Sequence, residues 1–404
     1  MINVAILGFG VVGSGVAELL HRNAEVIEAK LGTKLVLKRI LDRRDFPHSP
    51  FGMLVTHDFN DILNDPDITV VAEMMGGAHP AYDFTKACLL AGKSVVTSNK
   101  EVVATFGTEL LEIAAQKGVR YLFEASVGGG IPIIRPLVND LAANEIRSVS
   151  GILNGTTNYI LTQMLDYGVA YSDALADAQQ KGYAERNPAA DVEGLDAARK
   201  IVILAALSFG TLLSPDKIYC EGITKITVKD AQIAKALGCT VKLVGYASRE
   251  SGKVLAMVSP RLVPLNNPLS GVGDVFNGIL VDANMLGECM FYGKGAGKLP
   301  TASAVAADII DVVSNLKNSA VRVPEFHTAS DADYADFNNY RCRHCLSFAE
   351  GADVPSRIKQ IFGEVQTVTV AERIAFISEE LSEAELAQKL AQTDLRPLSC
   401  IRVL

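Results

Sequence analysis

Two stretches of the sequence combine residue types that could catalyse a reaction. Near the middle of the chain, Tyr183, Glu185 and Asp191 precede the pair Asp196 and Lys200, whose members share one face if the segment is helical. A lysine can exchange a proton with a substrate oxygen, and a carboxylate can bind an amino group by a charge-assisted hydrogen bond. An Asp-Lys pair of this spacing is usually a solvated surface pair worth roughly 0.3 kcal/mol. Several ionisable groups at the head of an otherwise apolar helix, however, favour an active site.

The second stretch is a glycine-rich turn at the start of the chain. Ile2 to Leu7 is an apolar run with β-branched residues, which predicts a buried strand. A pattern at helical spacing comes after the turn, whose cofactor-binding candidates are Gly8, Phe9, Gly10, Val11, Val12 and Gly13. In this motif Gly8 permits the tight turn, Gly10 lets the backbone approach a pyrophosphate, and Gly13 lets the helix pack closely on the strand. The turn therefore predicts a dinucleotide site at the N-terminus of a helix.

The next predicted strand, Leu35 to Leu41, ends in residues that bear on the choice of cofactor. Asp42 at this position would hold the ribose 2′-hydroxyl of NAD, whereas Arg43 or Arg44 would hold the 2′-phosphate of NADP. The two adjacent arginines favour NADP and Arg43 as its ligand, and NAD stays open as the alternative.

Strands and helices alternate over the first third of the chain. The patterns predict strands at Ile68 to Met74, Ser94 to Thr97 and Arg120 to Glu124, and helices at Tyr82 to Leu90 and Glu109 to Gln116. This rhythm predicts an α/β fold with a doubly wound parallel sheet of the Rossmann type. Because ligands of such sheets lie at the carboxyl ends of the strands, we expect Gly76, Lys100 and Glu124 on the edge that faces the cofactor.

After residue 130 the pattern changes to that of an α+β substrate-binding and dimerisation domain. A predicted strand, Ile146 to Leu153, runs into Asn154, Gly155 and Thr156, and a helix start at this turn would offer N–H donors to a substrate carboxylate. A long apolar helix is predicted over Ile201 to Phe209.

The last part of the chain predicts a third domain. Its elements follow the order β-α-β-β-α-β, which is typical of the ferredoxin-like fold. The predicted ranges are Tyr340 to Phe348, Val354 to Phe362, Val365 to Val370, Arg373 to Ser378, Glu380 to Gln392 and Leu398 to Val403.

Composition excludes several classes of protein. The chain has 404 residues and a net charge of -8, which argues against nucleic acid or anionic membranes as partners. No apolar run approaches the roughly 20 residues that span a bilayer, and the first residues show no secretion signal. Seven scattered cysteines suit reduced thiols and a cytoplasmic location. The motif from Cys342 to Cys345, Cys-Arg-His-Cys, lacks a second ligand pair for zinc, so an ordinary strand is the favoured interpretation.

Taken together, several motifs closely resemble the homoserine dehydrogenase family. They run in order from residue 1 to about 318 and comprise Gly8 to Gly13, Thr97 to Lys100, Glu124 to Pro132, Gly151 to Tyr159, Gly182 to Lys200, Gly293 to Gly297 and Pro300 to Val305. The combination is highly specific, although each piece alone is not. The resemblance implies reversible, NAD(P)H-dependent reduction of L-aspartate 4-semialdehyde to L-homoserine in threonine and methionine biosynthesis. It also implies the monofunctional form, without a fused aspartokinase.

The resemblance further implies roles for individual residues. Lys200 would be the general acid or base, with Lys100 and Asp196 beside it as further catalytic residues. Glu185 would bind the substrate ammonium, and Asp191, Tyr183, Gly155 and Thr156 would complete the substrate pocket. Gly76, Gly297 and Lys100 would join the cofactor site. A monovalent cation, usually sodium in this family, would be held mainly by backbone carbonyls of Glu124, Val127, Gly129 and Ile131.

These patterns predict a division into domains. We expect a nucleotide-binding domain at 1–132 with the helix 301–318 packed back on it, a substrate-binding and dimerisation domain at 133–300, a linker at 319–338 and a tail at 339–404. The tail resembles an ACT domain, which often binds an amino-acid effector, but Pro355-Ser356 replaces the Pro-Gly common at its first helix. A dimerisation module without effector is the alternative, and the assembly would be a homodimer or homotetramer.

Two other functions would require different residues. An enzyme that handles aspartate semialdehyde through a catalytic cysteine would need that cysteine after the Rossmann unit, and none occurs between Cys88 and Cys220. A dinucleotide-sensing regulatory protein would keep the glycines but would not need Lys200 with Asp196. Because every predicted catalytic residue precedes Thr301, the sequence also predicts that deletion from Asn339 onward leaves an active enzyme.

Overall fold

A computed structural model describes residues 1–316 and 324–404. The chain divides into two compact units. The first contains Met1–Glu145, Val202–Ser214 and Gly293–Ala329, and the second contains Ile146–Ile201, Pro215–Tyr292 and Ser330–Leu404. Part of the predicted linker and the end of the predicted helix 301–318 lie outside the described residues. In the residues that are described, no helix is long and apolar enough to cross a membrane.

The first unit contains the predicted doubly wound sheet. Its elements up to residue 145 are β1 Ile2–Leu7, α1 Val11–Arg22, α2 Ala24–Leu31, β2 Leu35–Leu41, β3 Val55–Thr56, α3 Asn60–Leu63, β4 Ile68–Glu73, α4 Ala81–Leu90, β5 Ser94–Thr97, α5 Lys100–Lys117 and β6 Tyr121–Leu122. The six strands are all parallel and lie in the order β3-β2-β1-β4-β5-β6. This order is that of a Rossmann sheet, whose ligand crevice opens where β1 and β4 part.

Two boundaries in this unit differ from the prediction. Helix α5 begins at Lys100 rather than at Glu109, because the side chain of Asn99 accepts a hydrogen bond from the backbone N–H of Val102 and caps the helix. The predicted strand Arg120 to Glu124 is only two residues long, and a 3₁₀ turn follows it at Glu124–Ser126.

The remaining elements follow in chain order: β7 Ile146–Ile152, α6 Gly155–Tyr167, α7 Tyr171–Gln180, α8 Ala189–Val192, α9 Leu195–Phe209, β8 Thr211–Leu212, β9 Tyr219–Cys220, α10 Val228–Ala236, β10 Cys239–Glu250, β11 Lys253–Pro264, β12 Phe276–Ala283, β13 Gly287–Lys294, α11 Lys298–Ser314, β14 His327–Thr328, β15 Arg341–Cys342, β16 His344–Ala349, α12 Val354–Phe362, β17 Thr367–Val370, β18 Arg373–Ile377, β19 Leu381–Ser382, α13 Glu383–Ala391 and β20 Ser399–Val403.

Helix α11 completes the core of the first unit by packing on α1. The contact is close because Gly15 has no side chain: a Cβ there would lie 2.8 Å from the carbonyl oxygen of Lys298. Val305 and Ile309 of α11 are fully buried in the same cluster as Ile6 and Val16. The helix that follows the substrate-binding segments in sequence thus belongs to the nucleotide-binding core.

In the second unit a ten-stranded sheet contains strands of the predicted substrate-binding domain together with strands of the tail. Its path is β13-β12-β7-β10-β11-β20-β16-β18-β17, with β9 paired to β11. The tail strands appear in the order β20-β16-β18-β17, which is the ferredoxin-like arrangement predicted from the sequence. The predicted strand Tyr340 to Phe348 is divided into β15 and β16, and its helix α13 begins at Glu383 rather than at Glu380.

The last strand of the chain connects these two parts. β20 pairs in parallel with β11, where Arg402 lies opposite Arg261 and Val403 opposite Leu262, and it pairs antiparallel with β16. Leu404 donates its backbone N–H to Leu262 and packs against the core cluster beneath the sheet. The strands of the tail therefore extend the sheet of the predicted substrate-binding domain, and local sequence patterns did not predict this pairing.

Candidate active site

The glycine turn between β1 and α1 has the backbone geometry of a pyrophosphate cradle. Gly8 has a φ of +90°, and a Cβ at this residue would lie 2.9 Å from the carbonyl oxygen of Met74. A Cβ at Gly13 would lie 2.0 Å from the carbonyl oxygen of Gly8, so the helix start and the turn are in contact. A Cβ at Gly10, in contrast, would point into open space. The turn is packed on its inner side and open on the side where a ligand would lie.

Helix α1 begins at Val11 with Gly10 as its N-cap, and no side chain caps it. Its first turn contains no acidic residue. The helix N-terminus therefore offers N–H groups and a positive dipole to an anion, and the residues present fit a dinucleotide. Two clefts, of about 590 and 720 Å³, lie beside this turn. The former is lined in part by Gly8, Asp42, Arg43, Arg44 and Gly76, and the latter in part by Gly10, Val11, Ser14, Arg44 and Lys298.

The carboxylate of Asp42, directly after β2, accepts hydrogen bonds from other groups of the protein. Its Oδ2 accepts the backbone N–H of Phe9 at 2.8 Å, and its Oδ1 accepts the backbone N–H and Nε of Arg44, each at 3.0 Å. The second arm of the Arg44 guanidinium donates to Oδ2 at 3.0 Å. Burial acts to raise the pKa of Asp42, but the hydrogen bonds from Arg44 and Phe9 outweigh it and lower the pKa to about 2.

Gly76 and Lys100 lie just after the ends of β4 and β5, respectively. Glu73, fully buried at the end of β4, accepts hydrogen bonds from the backbone N–H of Met75 at 2.7 Å and from Thr97 Oγ1 at 2.6 Å. The amide of Asn99 donates to the carbonyl oxygen of Gly77 at 2.8 Å, so the two loops after the strands are tied together. Burial raises the pKa of Glu73. Neither Glu73 nor Asn99 was among the predicted site residues, although Asn directly before a helical pattern is a recognisable capping signal.

The loop after β6 contains the predicted cation ligands. The buried carboxylate of Glu124 accepts the backbone N–H groups of Ile133, Ile134 and Arg135 at 2.6, 2.8 and 2.9 Å. Its own backbone N–H donates to Asp308, whose pKa is raised by burial. The Glu124 side chain thus fixes the loop, and a cation would meet this residue through its carbonyl oxygen.

The carbonyl groups in this loop fit a hard cation. Val127 and Ile131 are buried, and Gly129 has a φ of +57° with its Cα close to Gly295. Within residues 1–316 and 324–404, no hydrogen bond reaches the carbonyl oxygens of Val127, Gly129 or Ile131. Buried carbonyl groups normally find a partner, so these three oxygens suit an ion with oxygen ligands. Gly297 lies nearby in sequence, where it precedes α11 with a φ of +119°.

In the second unit, Asn154 connects the end of β7 with the predicted catalytic residues. Its Oδ1 accepts the backbone N–H of Thr157 at 2.9 Å and caps α6, while its Nδ2 donates to Asp191 Oδ1 at 2.7 Å and to Asp196 Oδ2 at 3.0 Å. Asn154 lies in the motif Gly151 to Tyr159 but was not among the predicted site residues.

Lys200 and Asp196 form a buried ion pair, not the solvated pair that their spacing usually indicates. Lys200 Nζ lies 2.8 Å from Asp196 Oδ2 and donates to the carbonyl oxygen of Leu153 at 2.8 Å. The two residues are 8% and 7% exposed. Because the ammonium is held between a carboxylate and a carbonyl oxygen, its orientation is fixed without solvent.

The other predicted substrate ligands lie at the start of α6 and in the loop before α8. Thr156 Oγ1 donates to the carbonyl oxygen of Tyr183 at 2.6 Å, which joins the two segments. A Cβ at Gly155 would lie 2.7 Å from the carbonyl oxygen of Val275, so only glycine fits there. Glu185 is exposed, and its carboxylate makes no hydrogen bond with any described residue. An exposed carboxylate suits a ligand that arrives from solvent.

The Cys-Arg-His-Cys motif of the tail is part of an ion-pair network. His344 Nε2 lies 3.5 Å from Cys342 Sγ and 3.2 Å from Glu383 Oε1, so three ligand types of a zinc site do meet. The guanidinium of Arg402, however, donates to both oxygens of Glu383 at 2.7 and 2.9 Å. A cation already neutralises this carboxylate, and the cluster fits a structural role better than a metal site.

The first unit thus contains the predicted cofactor-binding residues, with Lys100 among them, and the second contains Lys200, Asp196 and the predicted substrate-binding residues. A Rossmann unit with an open pyrophosphate turn, combined with a buried lysine-carboxylate pair able to move a proton, defines a nicotinamide-dependent oxidoreductase.

Comparison with known proteins identifies the family. The family model for homoserine dehydrogenase matches residues 132–310, and the model for its NAD-binding domain matches residues 8–124. The chain is 44% identical over 324 residues to the homoserine dehydrogenase of Synechocystis sp., covering 79% of this chain and 75% of that relative. It is 45% identical over 320 residues to that of Mycobacterium tuberculosis, covering 78% and 73%.

Solved structures agree with this result. The homoserine dehydrogenase from Thiobacillus denitrificans has a TM-score of 0.89 at 35% identity, covering 100% of this chain and 98% of that one. The S. aureus homoserine dehydrogenase has a TM-score of 0.83 at 31% identity, with coverage of 100% and 98%. The chain belongs to the homoserine dehydrogenase family.

Proposed function

We propose that this protein is a homoserine dehydrogenase that reversibly reduces L-aspartate 4-semialdehyde to L-homoserine in threonine and methionine biosynthesis. The observation that supports this most directly is the buried Lys200-Asp196 pair at the head of α9. The family to which the chain belongs is named for this activity. The seven cysteines form no disulfide, which suits the cytoplasm as its location.

Reduction of an aldehyde needs a hydride on the carbon and a proton on the oxygen. A bound nicotinamide cofactor supplies the hydride. Lys200 gives its proton to the carbonyl oxygen as it becomes the hydroxyl of homoserine, and it takes that proton back in the reverse direction. Asp196 holds the ammonium in place, and Lys100 assists as a second cation near substrate and cofactor.

The remaining substrate contacts follow from charge. The exposed carboxylate of Glu185 binds the α-ammonium group of the substrate, and Asp191 and Tyr183 line the same pocket. The N–H groups at the start of α6, at Gly155 and Thr156, bind the α-carboxylate. These roles rest on residue type and on the contacts of the second unit.

We infer that NADP is preferred over NAD. Asp42 is the residue that would bind a ribose 2′-hydroxyl, but its oxygens accept four hydrogen bonds from Phe9 and Arg44. Arg43 lines the adjoining cleft and Arg44 is paired with Asp42, so the guanidinium of Arg43 suits a 2′-phosphate. Arg43→Ala should then raise the KM for NADPH and leave the KM for NADH almost unchanged. If Asp42 dominates instead, the unmodified protein prefers NADH and Arg43→Ala has little effect.

We further propose a monovalent cation, most simply sodium, at the carbonyl groups of Glu124, Val127, Gly129 and Ile131. The carbonyl oxygens of Val127, Gly129 and Ile131, to which no residue in the described part of the chain donates a hydrogen bond, support this site. Thermal unfolding in sodium chloride and in choline chloride at equal ionic strength tests it. A higher Tm in sodium supports the site, and identical values contradict it.

For the tail, we propose an ACT-like module at 339–404 that follows the domains at 1–132 and 133–300 and the linker at 319–338. The ferredoxin-like strand order supports the fold. Ser356 in the first turn of α12 donates its hydroxyl to the carbonyl oxygen of Asp353 at 2.7 Å, so a side chain stands where ACT domains have glycine. An amino-acid effector should therefore bind weakly. The assembly is proposed to be a homodimer or homotetramer.

A steady-state assay tests the main proposal. The purified chain is given L-aspartate 4-semialdehyde with NADPH or NADH, and homoserine is identified by mass spectrometry. Formation of homoserine at a rate that depends on the nicotinamide supports the function. Failure to reduce the semialdehyde, with turnover of another small aldehyde, would overturn it.

A further inference from the structure

We propose that Asn154 is a positioning residue for the reaction: its amide clamps Asp191 and Asp196 together and so sets the direction of Lys200. This inference rests on the proposed function, because it concerns the same site. Asn154 was not among the predicted site residues, and the transfer of a proton by Lys200 does not by itself call for it.

The hydrogen bonds of Asn154 fix the orientation of its amide. A backbone N–H can only donate, so the atom that receives the N–H of Thr157 at 2.9 Å must be the amide oxygen. The NH₂ group then faces the two carboxylates, at 2.7 Å from Asp191 and 3.0 Å from Asp196. The NH₂ group donates to both carboxylates, and a flipped amide could not make these three hydrogen bonds.

The same carboxylate oxygen receives the amide and the lysine. Asp196 Oδ2 lies 3.0 Å from Asn154 Nδ2 and 2.8 Å from Lys200 Nζ. Lys200 Nζ also donates to the carbonyl oxygen of Leu153, the residue directly before Asn154. Two consecutive residues after β7 therefore hold the ion pair: the carbonyl group of Leu153 binds the ammonium of Lys200, and the side chain of Asn154 binds the carboxylate of Asp196.

The clamp also separates Asp191 from Asp196 by a donor. Two carboxylates that approach each other in a buried site repel, and a neutral amide with two protons satisfies both without adding charge. Because Asn154 is only 6% exposed, water cannot easily replace it. Loss of the amide would remove one of the hydrogen bonds that fix the Asp196 carboxylate, and this change would shift the ammonium of Lys200 that is bonded to the same oxygen.

Asn154 also caps α6, so its two roles must be separated. Asn154→Asp keeps an oxygen that accepts the N–H of Thr157, and aspartate is as good an N-cap as asparagine. It removes the two donated protons and brings a third carboxylate against Asp191 and Asp196. Asn154→Ala removes both the cap and the clamp. Thr227→Ala is the matched control, because Thr227 caps α10 through the N–H of Asp230 and takes no part in the proposed site.

We expect kcat to fall about 10²-fold in Asn154→Asp, the effect typical of a misplaced catalytic group. The pH at which homoserine oxidation reaches half its maximal rate should rise, because a further carboxylate favours the charged form of Lys200. NADPH binding, followed by fluorescence, should be unchanged, which shows that the variant is folded. Asn154→Ala and Thr227→Ala should both lower Tm by about 2 to 4 °C, but only the former should lower kcat.

An Asn154→Asp variant with unchanged kcat and pH profile would overturn the proposal, and so would equal kinetic effects in Asn154→Ala and Thr227→Ala. Failure of the proposed function gives a different result. In that case the unmodified protein itself does not turn over aspartate semialdehyde.

Discussion

Substitution of Lys200 gives the most direct test of the chemistry. The lysine and its partner Asp196 are 8% and 7% exposed, so Lys200→Ala removes one member of a buried pair and leaves the other with the amide of Asn154. Breaking such a pair costs about 3 to 5 kcal/mol of folding free energy. The loss of a general acid lowers kcat by about 10² to 10⁴, which corresponds to roughly 2.7 to 5.5 kcal/mol of activation free energy.

The assay must separate these two effects. Turnover is measured with saturating NADPH and semialdehyde, and the folded fraction is measured in the same buffer by chemical denaturation. Lys242→Met is the matched control, because Lys242 is a second buried lysine, 4% exposed, whose Nζ donates to the carbonyl oxygen of Val272 at 2.6 Å. We expect both variants to change in stability and only Lys200→Ala to lose turnover, with cofactor affinity nearly unchanged. Turnover within about threefold of the unmodified enzyme would show that Lys200 is a structural ion-pair residue.

The other predictions concern binding, the tail and pH. Glu185→Gln should raise the KM for substrate with little change in kcat, because the shape is kept and the charge that meets the ammonium is lost; Asp177→Asn on the neighbouring helix is the control. Deletion of 339–404, which the sequence alone predicted to be harmless, should give an insoluble or inactive protein, because it removes β20 and β16 from the sheet and strips Tyr340 from the buried guanidinium of Arg261. Threonine should inhibit the full-length enzyme weakly or not at all. Burial lowers the pKa of Lys242 from 10.5 to about 8. Between these two pH values the unfolded chain binds one more proton than the folded protein, so the free energy of unfolding increases as the pH rises. Relative to Lys242→Met, the unmodified protein should therefore gain up to about 3 kcal/mol of stability between pH 8 and 10.5.

Clear outcomes would contradict each of these. Unchanged KM with collapsed kcat would move Glu185 from binding to chemistry. A soluble truncated chain with full turnover would show that the shared sheet is dispensable. Strong threonine inhibition would show that Ser356 is tolerated at an effector site. A stability difference between the unmodified protein and Lys242→Met that is flat with pH would show that Lys242 titrates normally.

Local patterns predicted the elements whose ends are set by nearby residues. The strand Ile2–Leu7, the glycine turn and the helix Val354–Phe362 all have the predicted bounds, because apolar runs, glycines and turn residues act within a few positions. The start of α5 was predicted too late, although Asn99 before Lys100 is a capping signal that could have placed it. The shared face of Asp196 and Lys200 also follows from helix spacing.

The features that were missed depend on residues distant in sequence. The sequence favoured an active site for Asp196 and Lys200, but the extent of their burial depends on what packs over them, because a spacing of four residues is the same on a surface. The clamp at Asn154 requires the end of a strand to meet two helices whose aspartates are 37 and 42 residues further along the chain. The pairing of β11 with β20 joins residues 261 and 402, and no local pattern encodes such a contact.

The position of β20 has a consequence for how the protein is made. β20 is synthesised after every other strand of its sheet, yet it lies between β11 and β16 in the finished sheet. Until β20 leaves the ribosome, the nascent chain therefore exposes one edge of β11 and one edge of β16 that β20 later covers. Completion of the sheet must therefore wait for β20, and a premature stop within α13 would release a chain with both edges open to aggregation.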